Sequence, residues 1–264
     1  MTRIPEWQVA TVKSIRVETP SVKTFTLAVA NWIQHKAGQH YDVRLTAPEG
    51  YEAACSYSIA SEPDRTGEID LTVERIEAGK VSSYMHDVLL VGDPIEVRGP
   101  IGRCLVWESS MAVPVLLVAG GSGIVPLMSI IRHARAIGSN IPLRLLYSSR
   151  TPEDVIYFDE LSKLQDSGCK LEIFYTFTRQ APPGWSGYAR RIDTQMLRDV
   201  TGPSWAESQA YVCGPTLMVE AVVNGLLEVG LTPHQIRTER FEPADSNGQG
   251  DYPLIMDQAN LWLK

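Results

Sequence analysis

The sequence predicts two domains: an N-terminal antiparallel β-barrel over residues 1–108 and a C-terminal α/β domain built on a parallel sheet over residues 109–241. An extension over residues 242–264 follows them. Three observations carry this prediction. Short segments of alternating apolar and polar residues dominate positions 7–100. After "VWESS" the pattern changes to apolar strands alternating with amphipathic helices. A chain of 264 residues, 44% hydrophobic and 21% charged, is also long enough for two cores of ordinary size.

In the first half, "VKTFTLAV" puts Phe25, Leu27 and Val29 on one face, "EIDLTVERI" does so with Ile69, Leu71 and Val73, and "PIEVRG" with Ile95 and Val97. Turn residues separate the segments at Pro20, Gly50, Pro63, Gly67, Gly79 and Gly92-Asp93-Pro94, spacings that suit a small antiparallel barrel. "VSSYMHDVLL" departs from alternation, and Val81, Met85, Val88 and Leu89 have the spacing of a short helix.

In the second half the pattern predicts strands at 113–119, 143–148, 171–178, 209–213 and 236–241. It predicts helices from about 126, over 153–165 and over 217–229. Such alternation is the pattern of a parallel sheet with right-handed crossovers. Thr151-Pro152 reads as the start of the 153–165 helix, and Gly230 as the end of the last one.

Charge narrows the function. A formal net charge of −7 disfavours nonspecific binding to nucleic acid or to an anionic membrane, both of which need surplus Lys and Arg. The N-terminal segment has no apolar run followed by a small-residue cleavage site, and no apolar stretch is long enough to span a bilayer, so a cytoplasmic location is expected. Four cysteines (Cys55, Cys104, Cys169 and Cys213) lack C-x-x-C spacing, and the five histidines are scattered; no metal site is expected.

"VPVLLVAGGSGIVPLMSII" runs from a buried strand through a glycine-rich turn into a helix. Gly121 and Gly123 allow a tight turn and close approach of phosphates, and the helix start offers unpaired N–H groups. The same pattern also serves a plain strand-to-helix turn. Arg150, Arg179 and the Arg190-Arg191 pair follow successive elements of this half, and no acidic residue ends "LRLLYSSR" to grip a ribose hydroxyl. A guanidinium fork suits a phosphate dianion and is the preferred reading, with separate surface ion pairs to Glu153, Asp154 and Asp193 as the alternative.

The ordered set "GQHYDV", "SYSIAS", "GKVSSYMHD", "GDPIEVRGPIG", "GGSGIVP", "TR" ahead of "GYARRI", "YVCGP" and "ERF" spans roughly 240 residues and resembles the ferredoxin–NADP reductase family. The resemblance implies a flavin-binding barrel, a nicotinamide-nucleotide domain, FAD and NADPH as cofactors, and hydride transfer between the two rings. By the same resemblance Tyr57 packs on the flavin ring, Ser58 bonds near its N5 atom, and the main chain of Thr72 and Val73 borders it. Val81, Ser82 and Ser83 hold its phosphates at a helix start. Cys213 and Glu239 stand beside the nicotinamide, Arg150, Arg179 and Arg191 hold a 2′-phosphate, and Phe241 shields the flavin. Ser58, Cys213 and Glu239 are the implied catalytic set.

The resemblance fails at one position. Where the family has an arginine that reaches the flavin phosphates, "AACSYSIAS" has Cys55. Lys80 or Arg103 is a candidate replacement for the charge, and a pairing of Cys55 with Cys104 is an alternative use of the thiol. Residues 242–264 contain no cysteine, so no fused iron–sulfur domain is expected there. The implied electron acceptor is a separate ferredoxin or flavodoxin, or a separate oxygenase component. The competing reading is a nucleotide-binding sensor or assembly subunit that has lost stable flavin through Cys55.

Overall fold

The computed structural model describes residues 5–47, 50–166, 170–202, 205 and 207–241. The 242–264 extension and Cys169 lie outside the described residues. Strands β1 (Gln8–Thr19), β2 (Val22–Val29), β3 (His40–Thr46), β4 (Glu52–Ser58), β5 (Glu68–Glu74) and β6 (Pro94–Ile101) form one antiparallel sheet in the order β4-β3-β6-β1-β2-β5. The sheet curls until its two outer strands meet at a single antiparallel bridge between Ile59 and Leu71. Alternation is the reason it closes. Phe25, Leu27, Val43, Ile69, Leu71 and Val97 all turn inward and are buried together, each burial stabilising by about 1.5–3 kcal/mol.

Helix α1 (Lys80–Asp87) covers one mouth of the barrel, with Val81 and Met85 in the same core. Its C-terminal half is fastened by His86, whose buried Nε2 donates to the Val73 carbonyl at 2.8 Å. An Arg75–Asp87 ion pair at 2.8 Å adds a second tie.

Strands β7 (Val115–Gly120), β8 (Leu143–Ser149), β9 (Leu171–Phe177), β10 (Gln209–Pro215) and β11 (Ile236–Phe241) form a parallel sheet in the order β11-β10-β7-β8-β9. Helices α2 (Ile124–Ala136) and α3 (Phe158–Asp166) pack on one face. Helices α4 (Thr194–Thr201) and α5 (Thr216–Glu228) pack on the other. Covering both faces explains why β7 is a continuous apolar run: Val115, Leu117 and Ala119 enter one core while Leu116 and Val118 enter the other.

Two expectations need correction. The helix expected over 153–165 is split into a 3₁₀ turn at Pro152–Asp154 and α3, which starts only at Phe158. Between them Val155, Ile156 and Tyr157 are buried, and Tyr157 has φ +62°. Tyr157 is the sole non-glycine residue with positive φ among the described residues, a conformation that costs on the order of 1–3 kcal/mol unless its surroundings hold it. The second correction is α4, which was not anticipated. Asp193 caps it by accepting the Met196 N–H at 2.8 Å, and Met196, Leu197 and Val200 supply its apolar face.

Candidate functional site at the barrel seam and the parallel-sheet crevice

Beyond the Ile59–Leu71 bridge, β4 and β5 are not paired, so the barrel has an open seam. Continuing the antiparallel register from that bridge sets Tyr57 across from Val73. Tyr57 and Cys55 are half-buried on the inward face of β4, against the barrel core. Ser58 points to the opposite face, opposite His40 in the β3 register. On β5, the Thr72 and Val73 side chains are buried. Any contact they make at the seam is therefore by main chain: the bond from the Ala60 N–H to the Asp70 carbonyl turns the Asp70 and Thr72 main chain toward β4, whereas Val73, expected beside the flavin, pairs with Lys23 on β2 and its carbonyl accepts from His86.

The start of α1 is held beside this seam. Ser82 Oγ accepts the Ile76 N–H at 3.2 Å, and Ser83 Oγ donates to the Ile76 carbonyl at 3.0 Å. Ser82 is buried, so its hydroxyl is engaged in the turn before the helix. The first N–H groups of the helix, at Val81 and its neighbours, are the part of this segment suited to an anion. Lys80 donates to the Tyr51 hydroxyl at 2.6 Å and lies 4.3 Å over its ring, which ties α1 to the chain entering β4. Cys55 and Cys104 are both free of disulfide bonds, and Arg103 is exposed.

The second half of the site lies at the carboxyl ends of the parallel strands. The strand order reverses direction between β7 and β10, the place where an open α/β sheet leaves a crevice for a ligand. The glycine-rich turn fills that place. Gly121 has φ +53°, and a Cβ built on it meets nothing within 4 Å, so its outer side is open. A Cβ on Gly123 would stand 2.2 Å from the Cys213 carbonyl oxygen, so only glycine lets the turn pack on β10. Tyr147 fixes the turn from the next strand by donating to the Gly121 carbonyl at 3.1 Å.

Cys213 and Glu239 are register partners on β10 and β11, and both are buried. Burial pushes the Cys213 thiol well above its usual range, with the Glu239 carboxylate a further cause. Burial also pushes the Glu239 carboxyl up to about 7, and its Oε1 has no hydrogen-bond partner. Near neutral pH the pair is therefore a neutral thiol beside a carboxyl poised between its two forms. Phe241 ends β11 beside Pro215 and is half-buried.

Arg150 follows β8 and Arg179 follows β9, and the Arg179 N–H donates to the Arg150 carbonyl at 2.9 Å. The segment carrying Arg191 is drawn to β9 by a Thr176–Tyr188 bridge and by a bond from Thr176 Oγ1 to the Arg190 carbonyl. Arg190 pairs with Asp193 at 2.6 Å. Arg150, Arg179 and Arg191 are exposed and form no ion pair among the described residues. Glu153 and Asp154 are thus not their partners; Asp154 instead accepts from Thr151 at 3.1 Å.

Reading along the chain missed the contacts that join the two halves. Arg132 on α2 donates to the Ala60 carbonyl at 2.7 Å and to both oxygens of Glu160 at 2.9 and 2.6 Å. Tyr157 donates to Thr72 Oγ1 at 2.5 Å, and Ser129 to the Ser61 carbonyl at 2.7 Å. An arginine inside the apolar run "MSIIRHA" was the available signal for Arg132; a left-handed tyrosine has none.

The residues present fit a flavin and a pyridine nucleotide. The barrel offers an open seam with a half-buried aromatic and a helix start, and the sheet offers a glycine cradle above a buried, unpartnered carboxyl oxygen. Comparison with known proteins agrees. Residues 9–105 match the oxidoreductase FAD-binding domain, and residues 117–224 match the oxidoreductase NAD-binding domain. The chain is 30% identical over 261 residues to the glycine betaine monooxygenase reductase subunit of Chromohalobacter salexigens, covering 96% of this chain and 70% of that protein. It is 31% identical over 242 residues to ferredoxin–NADP reductase B of Sorangium cellulosum, covering 88% and 97%. The crystal structure of a ferredoxin–NADP⁺ reductase from Neisseria gonorrhoeae superposes with a TM-score of 0.74 at 22% identity, covering 89% and 98%, a likeness of fold.

Fold, site and matches together define a two-domain oxidoreductase that uses FAD and a pyridine nucleotide. The chain belongs to the ferredoxin–NADP reductase family. Among the described residues, no helix is long and apolar enough to cross a membrane, and no cluster of three or more His, Cys, Asp or Glu is arranged to hold a metal ion.

Proposed function

We propose that this protein is an NADPH-dependent reductase that delivers electrons to a separate acceptor protein, a ferredoxin, a flavodoxin or an oxygenase component. Bound FAD supplies the conversion between a two-electron hydride and single electrons. The chain's own residues bind, orient and exclude water. Tyr57 and the main chain of Thr72 would border the flavin ring at the seam, and Ser58, on the other face of β4, would supply a hydroxyl to it. The N–H groups of Val81 and Ser82 take its phosphates; Ser83, expected to share in this, has its N–H bonded to the Gly79 carbonyl at 3.0 Å. Gly121 and Gly123 admit the nucleotide pyrophosphate, while Cys213 and Glu239 border the nicotinamide and Phe241 covers the flavin until nicotinamide enters. Glu239, poised between its two forms near neutral pH, offers its free oxygen to an amide donor.

One observation carries the choice of NADPH over NADH. Three exposed arginines with no ion pair among the described residues, Arg150, Arg179 and Arg191, follow the carboxyl ends of β8 and β9 in a protein of net charge −7. Each suits a phosphate through charge-assisted bonds worth about 1.5–3 kcal/mol. A reductase subunit among the relatives supports a separate acceptor. Steady-state kinetics with both nucleotides test the reading. The wild type is expected to prefer NADPH strongly, and Arg179→Ala to lower kcat/KM for NADPH by about ten- to a hundredfold while sparing NADH. Equal use of NADPH and NADH by the wild type overturns it.

A further inference from the structure

We propose that Arg132 and Tyr157 form a clamp that sets the nucleotide crevice against the flavin seam, making both positioning residues for hydride transfer. This rests on the function proposed above. The two residues grip opposite sides of one point. Arg132 holds the Ala60 carbonyl just after β4, and Tyr157 holds Thr72 on β5. Between them the strands meet: Ile59 bridges Leu71, and the Ala60 N–H donates to the Asp70 carbonyl at 2.8 Å. The clamp therefore holds the closed end of the seam, from which the open part spreads.

On the other side, the clamp is continuous with the nucleotide turn. Tyr147 donates to the Gly121 carbonyl and accepts the Ile156 N–H at 3.2 Å, and Tyr157 is the next residue. A hydrogen-bonded path thus runs from Gly121 through Tyr147 and Ile156 to Tyr157 and Thr72. It goes on into the barrel. Thr24 donates to Glu18 at 2.6 Å, so the 2.7 Å bond between Thr72 and Thr24 is donated by Thr72, which accepts from Tyr157. Arg132 lies 4.8 Å over the Tyr157 ring and is locked by Glu160, so the two grips share one support. The left-handed backbone at Tyr157 directs its hydroxyl across the domain boundary, a conformation the chain adopts at no other non-glycine residue described.

A hydride moves only when donor and acceptor are closely aligned, and small misplacements cost large factors in rate. Removing the Tyr157 hydroxyl should therefore slow transfer without weakening either cofactor. The test compares wild type, Tyr157→Phe, Thr72→Val and the double variant as FAD-loaded protein. Stopped-flow reduction by saturating NADPH is expected to slow about tenfold or more in each single variant, with no further loss in the double. In Tyr157→Phe, which lies outside the flavin seam, dissociation constants for FAD and NADP⁺ should stay within about twofold, and oxidation of dithionite-reduced protein by ferricyanide should be unchanged, because no nicotinamide takes part. In the apoprotein, amide hydrogen exchange at residues 60–61 and 70–72 should quicken in every variant.

An unchanged reduction rate overturns the clamp. So does slowing of the ferricyanide step in parallel, or loss of flavin affinity, in Tyr157→Phe, since either means a merely structural role. If NADPH fails to reduce even the wild type, the proposed function falls. Apoprotein exchange then decides the clamp separately, and unchanged protection at those amides overturns it.

Discussion

Replacing Glu239 with Gln should remove a pH dependence of folding that the wild type carries in its second domain. The carboxyl is buried between β10 and β11, has one oxygen without a partner, and titrates at about 7 instead of 4.5. Because the folded-state pKa is raised, the neutral carboxyl's full contribution is present below about pH 4.5 and is lost as the pH rises through about 7. At 1.36 kcal/mol per pKa unit, the loss between about pH 5 and about pH 8 comes to roughly 2–3 kcal/mol. Gln stays neutral and should show none of it. Urea unfolding of the apoprotein at the two pH values measures the difference. The variant should gain on the wild type at the higher pH by about that amount, with little difference at the lower. Identical pH dependence in the two proteins would refute the reasoning, because Glu239 would then be solvated or paired in solution.

Two further outcomes follow from the site. Gly123→Ala should abolish nucleotide binding and lower stability by several kcal/mol, since its Cβ would stand 2.2 Å from a backbone oxygen that cannot move without displacing β10; thermal melts with and without NADP⁺ check both effects. Cys55→Arg should tighten flavin binding by about ten- to a hundredfold by adding a charge worth roughly 1.5–3 kcal/mol. Flavin titration into stripped protein reads this directly, and weaker binding by the variant would mean that Cys55 acts as a core-facing residue whose volume matters more than the missing charge.

Much of this architecture was legible in the sequence because burial imposes a period. The run "VLLVAGG" lies between two helical layers and reads as unbroken apolar sequence, whereas "TFTLAV" faces one core and alternates. The breaks in pattern were harder to read. Val155 and Ile156 continue an apolar period that looks helical, but the tertiary bonds of Ile156 to Tyr147 and of Tyr157 to Thr72 hold the segment out of the helix until Phe158. Helix α4 was missed because its stop and start signals, Asp193 and Gly202, stand only nine residues apart around a polar stretch. At the site, strand ends and glycines betrayed the crevice, since backbone geometry there demands particular residues. The engagement of the Ser82 hydroxyl in its own turn depends on local bonding that spacing does not encode. The clamp joins pairs of residues 72 and 85 positions apart and leaves no local trace.

Anaerobic titration of the purified, FAD-loaded protein with NADPH tests the central claim most directly. Loss of the oxidised flavin absorbance with one equivalent of NADPH, far slower loss with NADH, and recovery on adding an oxidised ferredoxin is the predicted result. A protein that holds no FAD, or holds it and is not reduced by NADPH, would contradict the claim that these two halves form one electron-transfer site.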